Sequence, residues 1–288
     1  MVGKLEPARA LEYLAQNHPF FVNDASIIRY VTDRLPKNTD ANIGALRKQL
    51  QGRMKEISES EWNTIEERSR EKNPDVTKSG LPNQELQKTL FLAQRIIVLG
   101  SRAPMLVLDM SLAYLIARFE DMFSEQLVSV FLARPETMVA ENKSMTFGEL
   151  IKLSKIEEAV EMIAERRAKE IVDDGIDEMG EFLKKRLGLD YEKRPDWPDI
   201  KETFYRRNII VHNDGEANDD YRRKTGNSKA GTLNVSKSYL DKRLYFLTRF
   251  SADFSKDLAK KFMGASLKPH RPVPGFSRKR LEGIAGTT

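Results

Sequence analysis

The chain has 288 residues, enough for two domains or one large one, with 32% charged and 40% hydrophobic residues. That balance fits long amphipathic helices with solvated outer faces better than sheet. Lys and Arg number 48 against 43 Asp and Glu, a formal net charge of +5, which permits nucleic acid as a partner without requiring it. The lack of cysteine excludes disulfides, a thiol nucleophile and sulfur-ligated zinc, and fits a reducing, cytoplasmic setting.

Met1 to Pro7 has no apolar run of the kind a signal peptide needs, so none is expected. Glu6 to Ala15 carries Leu11 and Leu14 on one helical stripe, and Asn23-Asp24 is positioned to cap a second short helix ending near Leu35-Pro36. Thr39 or Asp40 opens a longer, heavily charged helix towards Arg70. Asn73-Pro74 and Ser79-Gly80-Leu81-Pro82-Asn83 are breakers that place a domain boundary near residue 80. Glu85 to Leu99 reads as a helix stopped by Gly100, and Pro104 to Phe131 as a long helix apolar on most sides, central to a bundle. Leu90 to Ala117 is the most apolar stretch, but Arg95, Arg102, Pro104 and Asp109 interrupt it. A membrane span needs about 20 predominantly apolar residues, so two buried helices and no membrane are expected.

Thr146-Phe147-Gly148-Glu149 has capping-box form. Leu153, Ile156, Val160 and Ile163 then keep helical spacing, which continues past Ile171, Met179 and Leu183, with Gly175 and Gly180 as kinks or breaks and Gly188 as the stop. Asp196-Trp197-Pro198-Asp199 opens another helix, with Asp196 as its cap and Trp197 as a structural staple. It turns Ile200, Phe204 and either Ile209 or Val211 inward and ends at Asn213-Asp214-Gly215. A polar connection runs to Val235, and Ser238 to Phe262 forms a final amphipathic helix on Leu240, Leu244, Leu247, Phe254 and Leu258. Arg166-Arg167 and Lys184-Lys185-Arg186 read as exposed faces balanced by Glu. The expected organisation is an all-α chain with a helical region at 1–80, a helical bundle at 81–263 and a basic, disordered tail at 264–288, densest at Ser277-Arg278-Lys279-Arg280.

Chemistry concentrates in one segment. His18 precedes Pro19 as a turn residue and His270 lies in the tail, which leaves His212; three histidines so dispersed make no His-rich metal site. Arg207 and His212 are five positions apart, so their side chains stand about 140° apart around a helix axis. A long Arg can still wrap towards a cleft bordered by a His at the helix end. Asn208 and His212 are four apart on one face, where Asn208 can orient the imidazole.

Arg207-Asn208 followed by His212 resembles the R-x4-6-H signature of the HEPN superfamily, which usually has a polar residue directly after the Arg. Phe204 to Gly215, then Tyr221, Gly226-Asn227 and Tyr239-Leu240, look like the C-terminal half of bacterial HEPN proteins, and the helix with Phe119-Glu120 resembles the first core helix of that family. The likeness covers Pro104 to Phe262; the N-terminal third has no such counterpart. It implies a HEPN-like helical bundle forming a homodimer across the motif, and a metal-independent, cofactor-free endoribonuclease of toxin or phage-defence type. His212 would be its general acid or base and Arg207 would hold the scissile phosphate. Asn208 would orient either of them.

Arg206, Asn213, Arg222 and Arg223 are the further candidates for gripping RNA. Arg206 can instead be read as the Arg of a wider-spaced motif, and Arg222, Arg223 and Lys224 as a solvated loop. Glu120 either raises the His212 pKa by proximity or pairs with an Arg such as Arg118. Two other functions remain open: a non-catalytic HEPN-fold module that binds RNA or a nucleotide, and an adaptor whose N-terminal third contacts another protein.

Overall fold

The computed structural model describes residues 19–34, 102–138 and 156–267, with isolated positions between 15 and 96. Among these the backbone is all-α, without a strand, and no helix is long and apolar enough to cross a membrane. The expected helices at 6–15, 39–70 and most of 85–99, the breakers near residue 80, the capping box at 146–149 and the basic run at 277–280 lie outside the described residues. The chain divides into two compact units, Met1–Arg29 with Asp109–Thr288, and Tyr30–Leu108. Of the second, the described parts are helical backbone at 30–34 and 102–108 and isolated helical positions between them.

Helix α1 (19–34) belongs to the first unit as far as Arg29, and in that part it buries Phe21, Val22, Ala25 and Ile28, a stripe of helical period. Asn23 and Asp24 lie inside this helix rather than at its start. Asp24 is held there by Arg118, whose Nε donates to it at 2.6 Å, so the caps inferred from these residues are replaced by a tertiary ion pair. Helix α2 (Ala103–Ala133) buries Leu112, Leu115, Ile116, Phe119, Phe123 and Leu127, all in threes and fours. The burial expected of its front half does not hold: Met110 and Tyr114, one turn apart, are 62% and 50% exposed, and only from Leu112 onward is one face fully buried.

Helices α3 (Ile156–Asp173) and α4 (Ile176–Lys185) meet at Gly175, whose φ of 96° breaks the run as expected. On α3 the buried stripe is Ala164, Ala168 and Ile171, whereas Ile163 faces out; small alanines allow close helix packing where the larger apolar residues would not. Gly180 neither kinks nor breaks α4. It lies mid-helix because the Trp197 ring packs on it, and a Cβ there would come within 2.9 Å of Cζ2. Gly180→Ala is therefore expected to lower thermal stability. Overpacking a buried ring costs about 1–3 kcal/mol, more than the roughly 1 kcal/mol by which Ala favours helix over Gly; a raised melting temperature would contradict this contact.

Helix α5 (Trp197–His212) starts at the expected place, but the Asp196 side chain does not cap it. That carboxylate is taken by Arg194 in a two-point contact of 2.9 and 3.0 Å, a stronger charge-assisted alternative. At its far end Asp214 and Gly215 adopt positive φ, and the Gly215 N–H returns to the Ile209 carbonyl at 3.2 Å. Gly215 also passes close to the chain at Leu233, whose N–H donates to its carbonyl at 2.8 Å. The polar connection is not uniformly irregular: it contains α6 (Asp219–Thr225), capped by Asn218, whose side chain accepts from the Tyr221 N–H. Helix α7 (Lys237–Met263) is capped by Ser236 and closed by Gly264 in the left-handed conformation.

The core centres on Phe119, whose ring meets Phe21 at 5.8 Å, Phe204 at 5.7 Å and Phe250 at 5.5 Å, one each from α1, α5 and α7. Such aromatic pairs add about 0.5–1.5 kcal/mol each beyond area burial. They set α2 against α5, and Glu120 follows directly in the chain.

Candidate active site at the end of helix α5

Successive residues on a helix point about 100° apart, and on α5 this sends neighbouring side chains into different surroundings. Ile209 is buried and Val211 exposed, which settles their alternative in favour of Ile209. Arg207 and Asn208 line a cavity of about 320 Å³ together with Glu120, Asp173, Asp177 and Lys224. The Arg207 Nη2 donates to Glu120 Oε1, with both side chains about one-fifth exposed. Its Nε is buried and has no hydrogen-bond partner among the described residues.

Glu120 thus pairs with Arg207 and not with Arg118, which is engaged by Asp24 and Asp121. Burial pushes the Glu120 carboxyl above its ordinary range; the Arg207 charge and hydrogen bond oppose this, and Asp121 and Asp173 add to it. Burial acts the same way on Asp177, but Lys201 and the Tyr205 hydroxyl, which donates at 2.7 Å, together hold that carboxyl below the usual range. Gly175 lets α3 and α4 turn so that Asp173 and Asp177 face the same space.

His212 is exposed at the last position of α5 and does not line this cavity. No hydrogen bond joins it to Asn208 among the described residues; Asn208 stands beside Arg207 in the cavity wall instead. The structure therefore brings together Arg207, Asn208 and Glu120, and places His212 outside that group, open to solvent. Asn213 is committed to the turn, its side-chain amide donating to the Glu216 carbonyl.

The other expected cations are engaged locally. Arg206 donates through Nε to Glu202 at 2.7 Å and through Nη1 to the Asn234 carbonyl at 3.1 Å, and lies over the Tyr239 ring. It faces a different cluster from Arg207, so it does not stand in for it. Arg222 pairs with Asp219 and also donates to the Ala230 carbonyl at 3.0 Å; Arg223 pairs with Asp220. Lys224 pairs with Asp220 at 3.1 Å and lines the cavity.

Sequence reasoning missed the cluster around Glu202, which accepts from Arg206, from the Tyr221 hydroxyl at 2.8 Å, the Tyr239 hydroxyl at 2.6 Å and Arg243 Nη2 at 2.9 Å. Burial alone would raise its carboxyl, but these partners hold it below the ordinary range. The available signal was the spacing of Glu202 with Arg206 and of Tyr239 with Arg243, each four apart on a helix. Asp173 and Asp177 were also missed. Among the described residues no group of three or more His, Asp and Glu side chains is placed to hold a metal ion.

The chain has an all-α fold carrying an Arg-lined acidic cavity beside an exposed helix-end histidine. No family model, no curated protein and no solved structure matches it.

Proposed function

We propose that this chain is a metal-independent endoribonuclease of the HEPN kind, acting in the cytoplasm as a homodimer in a toxin or phage-defence role. The observation that supports it is that the last two turns of one helix carry both a cavity-lining guanidinium, its Nε without a partner among the described residues, and, outside that cavity, a solvent-exposed imidazole. RNA carries its own nucleophile. The ribose 2′-oxygen bonds to the adjacent phosphorus as the 2′-proton passes to a base, and the bond to the 5′-oxygen breaks. The products are a 2′,3′-cyclic phosphate and a 5′-hydroxyl that takes up a proton. Proton transfer by His212 contributes about 10²–10⁴-fold, and Arg207 stabilises the charge that builds on the phosphate oxygens. A second copy of the chain would bring another imidazole to the same phosphodiester.

The test is incubation of the purified protein and of His212→Ala with total RNA in excess EDTA. Cleavage by the parent and its loss in the variant are expected; no cleavage under any condition, or cleavage that survives the substitution, ends this reading. The exposed Met110, Tyr114 and Val211 favour a second reading, a protein-interaction module of the same fold. That reading is distinguished by a folded protein that never cuts RNA.

A further inference from the structure

Among the described residues Arg207 donates to Glu120 through Nη2, while Nε, on the same edge of the guanidinium, is buried without a partner. That edge is built to hold two acceptor oxygens in parallel, as a carboxylate or phosphate offers them. A buried donor left unmatched is unfavourable, so the arrangement is a half-satisfied anion seat, covered at Nε, on a residue that lines the cavity. Glu120 is committed to it from the neighbouring helix α2, and Asn208 stands beside it as a further polar group.

We propose that Glu120 is an internal competitor for the anion seat of Arg207, and that a phosphate or phosphodiester binds there only by displacing the Glu120 carboxylate. This rests on the endoribonuclease reading and adds a restraint to it. The fixed charges of the cavity point the same way. Asp177 is already committed to Lys201 and Tyr205, and Asp173 and Asp174 are exposed at the cavity rim. Glu120 is the carboxylate in direct contact with Arg207, so its removal changes the seat most. Lys224 is the second cation in the wall and would face the same ligand.

The experiment measures binding of two probes, inorganic phosphate and a short 2′-O-methyl oligoribonucleotide that cannot be cut, to the parent, Glu120→Gln, Glu120→Asp, Arg207→Ala and the Glu120→Gln/Arg207→Ala double variant. Glu120→Gln is expected to tighten binding by about tenfold, equivalent to about 1.4 kcal/mol, and Glu120→Asp by less, since its carboxylate stays but retracts. The double variant is expected to lose the gain. A Glu120→Gln protein that is folded by circular dichroism yet binds no more tightly overturns the proposal. Should that variant not fold, an unchanged affinity in Glu120→Asp overturns it equally. A gain with phosphate but not with the oligonucleotide upholds the competitor role and counts against RNA as the ligand. Because neither probe is cleaved, failure of the competitor role and failure of the nuclease reading are separate results.

Discussion

Arg207→Ala is expected to slow RNA cleavage by about 10²–10³-fold, the usual loss when one electrostatic contact to a developing oxyanion is removed, without unfolding the chain. The guanidinium lines the cavity wall and keeps one buried N–H, Nε, without a partner among the described residues, whereas Arg206, one residue away, is bound to Glu202 and the Asn234 carbonyl. The cost to the fold is limited because the Glu120 side chain is about one-fifth exposed and keeps access to solvent when its partner is lost. Arg207→Lys keeps the charge but offers no planar two-point edge, so it is expected to recover only part of the rate. Single-turnover cleavage of a defined RNA, with circular dichroism as the control for folding, measures both. Parent-like cleavage by Arg207→Ala would remove this residue from the mechanism.

Glu202→Ala is expected to have the largest effect on stability, a loss of about 3–5 kcal/mol, as when one partner of a buried ion pair is deleted. Its carboxylate receives Arg206, Arg243 and the hydroxyls of Tyr221 and Tyr239 and so ties α5 to α6 and α7. Without it Arg243, which is 5% exposed, keeps, among the described residues, only Asp199 as a carboxylate hydrogen-bond partner. The pH dependence has a definite sign. Glu202 is held below its ordinary value of 4.5, so its contribution is complete above that value and is lost as pH falls through it towards the lower, folded one. The gap between parent and Glu202→Gln should therefore be wide at neutral pH and close in acid. Urea denaturation at a series of pH values reads it, and a gap that widens in acid would reverse the assignment.

Helix α5 shows how much was legible beforehand. Its start before Trp197-Pro198 and its stop at Asn213-Asp214-Gly215 follow from local chemistry: proline fits the first turn, and residues that tolerate positive φ end it. Yet Asp196 does not cap it, because Arg194 is a stronger partner for that carboxylate, and such competition depends on which groups the fold brings close. Helix α6 was invisible for a related reason. It has seven residues, and its stability comes from the Asn218 cap and from burying Tyr221 rather than from a repeated apolar stripe.

The sequence by itself determined that the described chain is helical, where α5 and α7 begin and end, and which segment gathers Arg, Asn and His, because caps, breakers and helical period act between residues a few positions apart. Only the tertiary structure decided that Glu120, 87 positions away, meets Arg207, that adjacent Arg206 turns to Glu202, and that His212 stands outside the cavity. These partners depend on which helix faces pack together. That is set by the aromatic contacts around Phe119, which join residues far apart in the chain and leave no local signature.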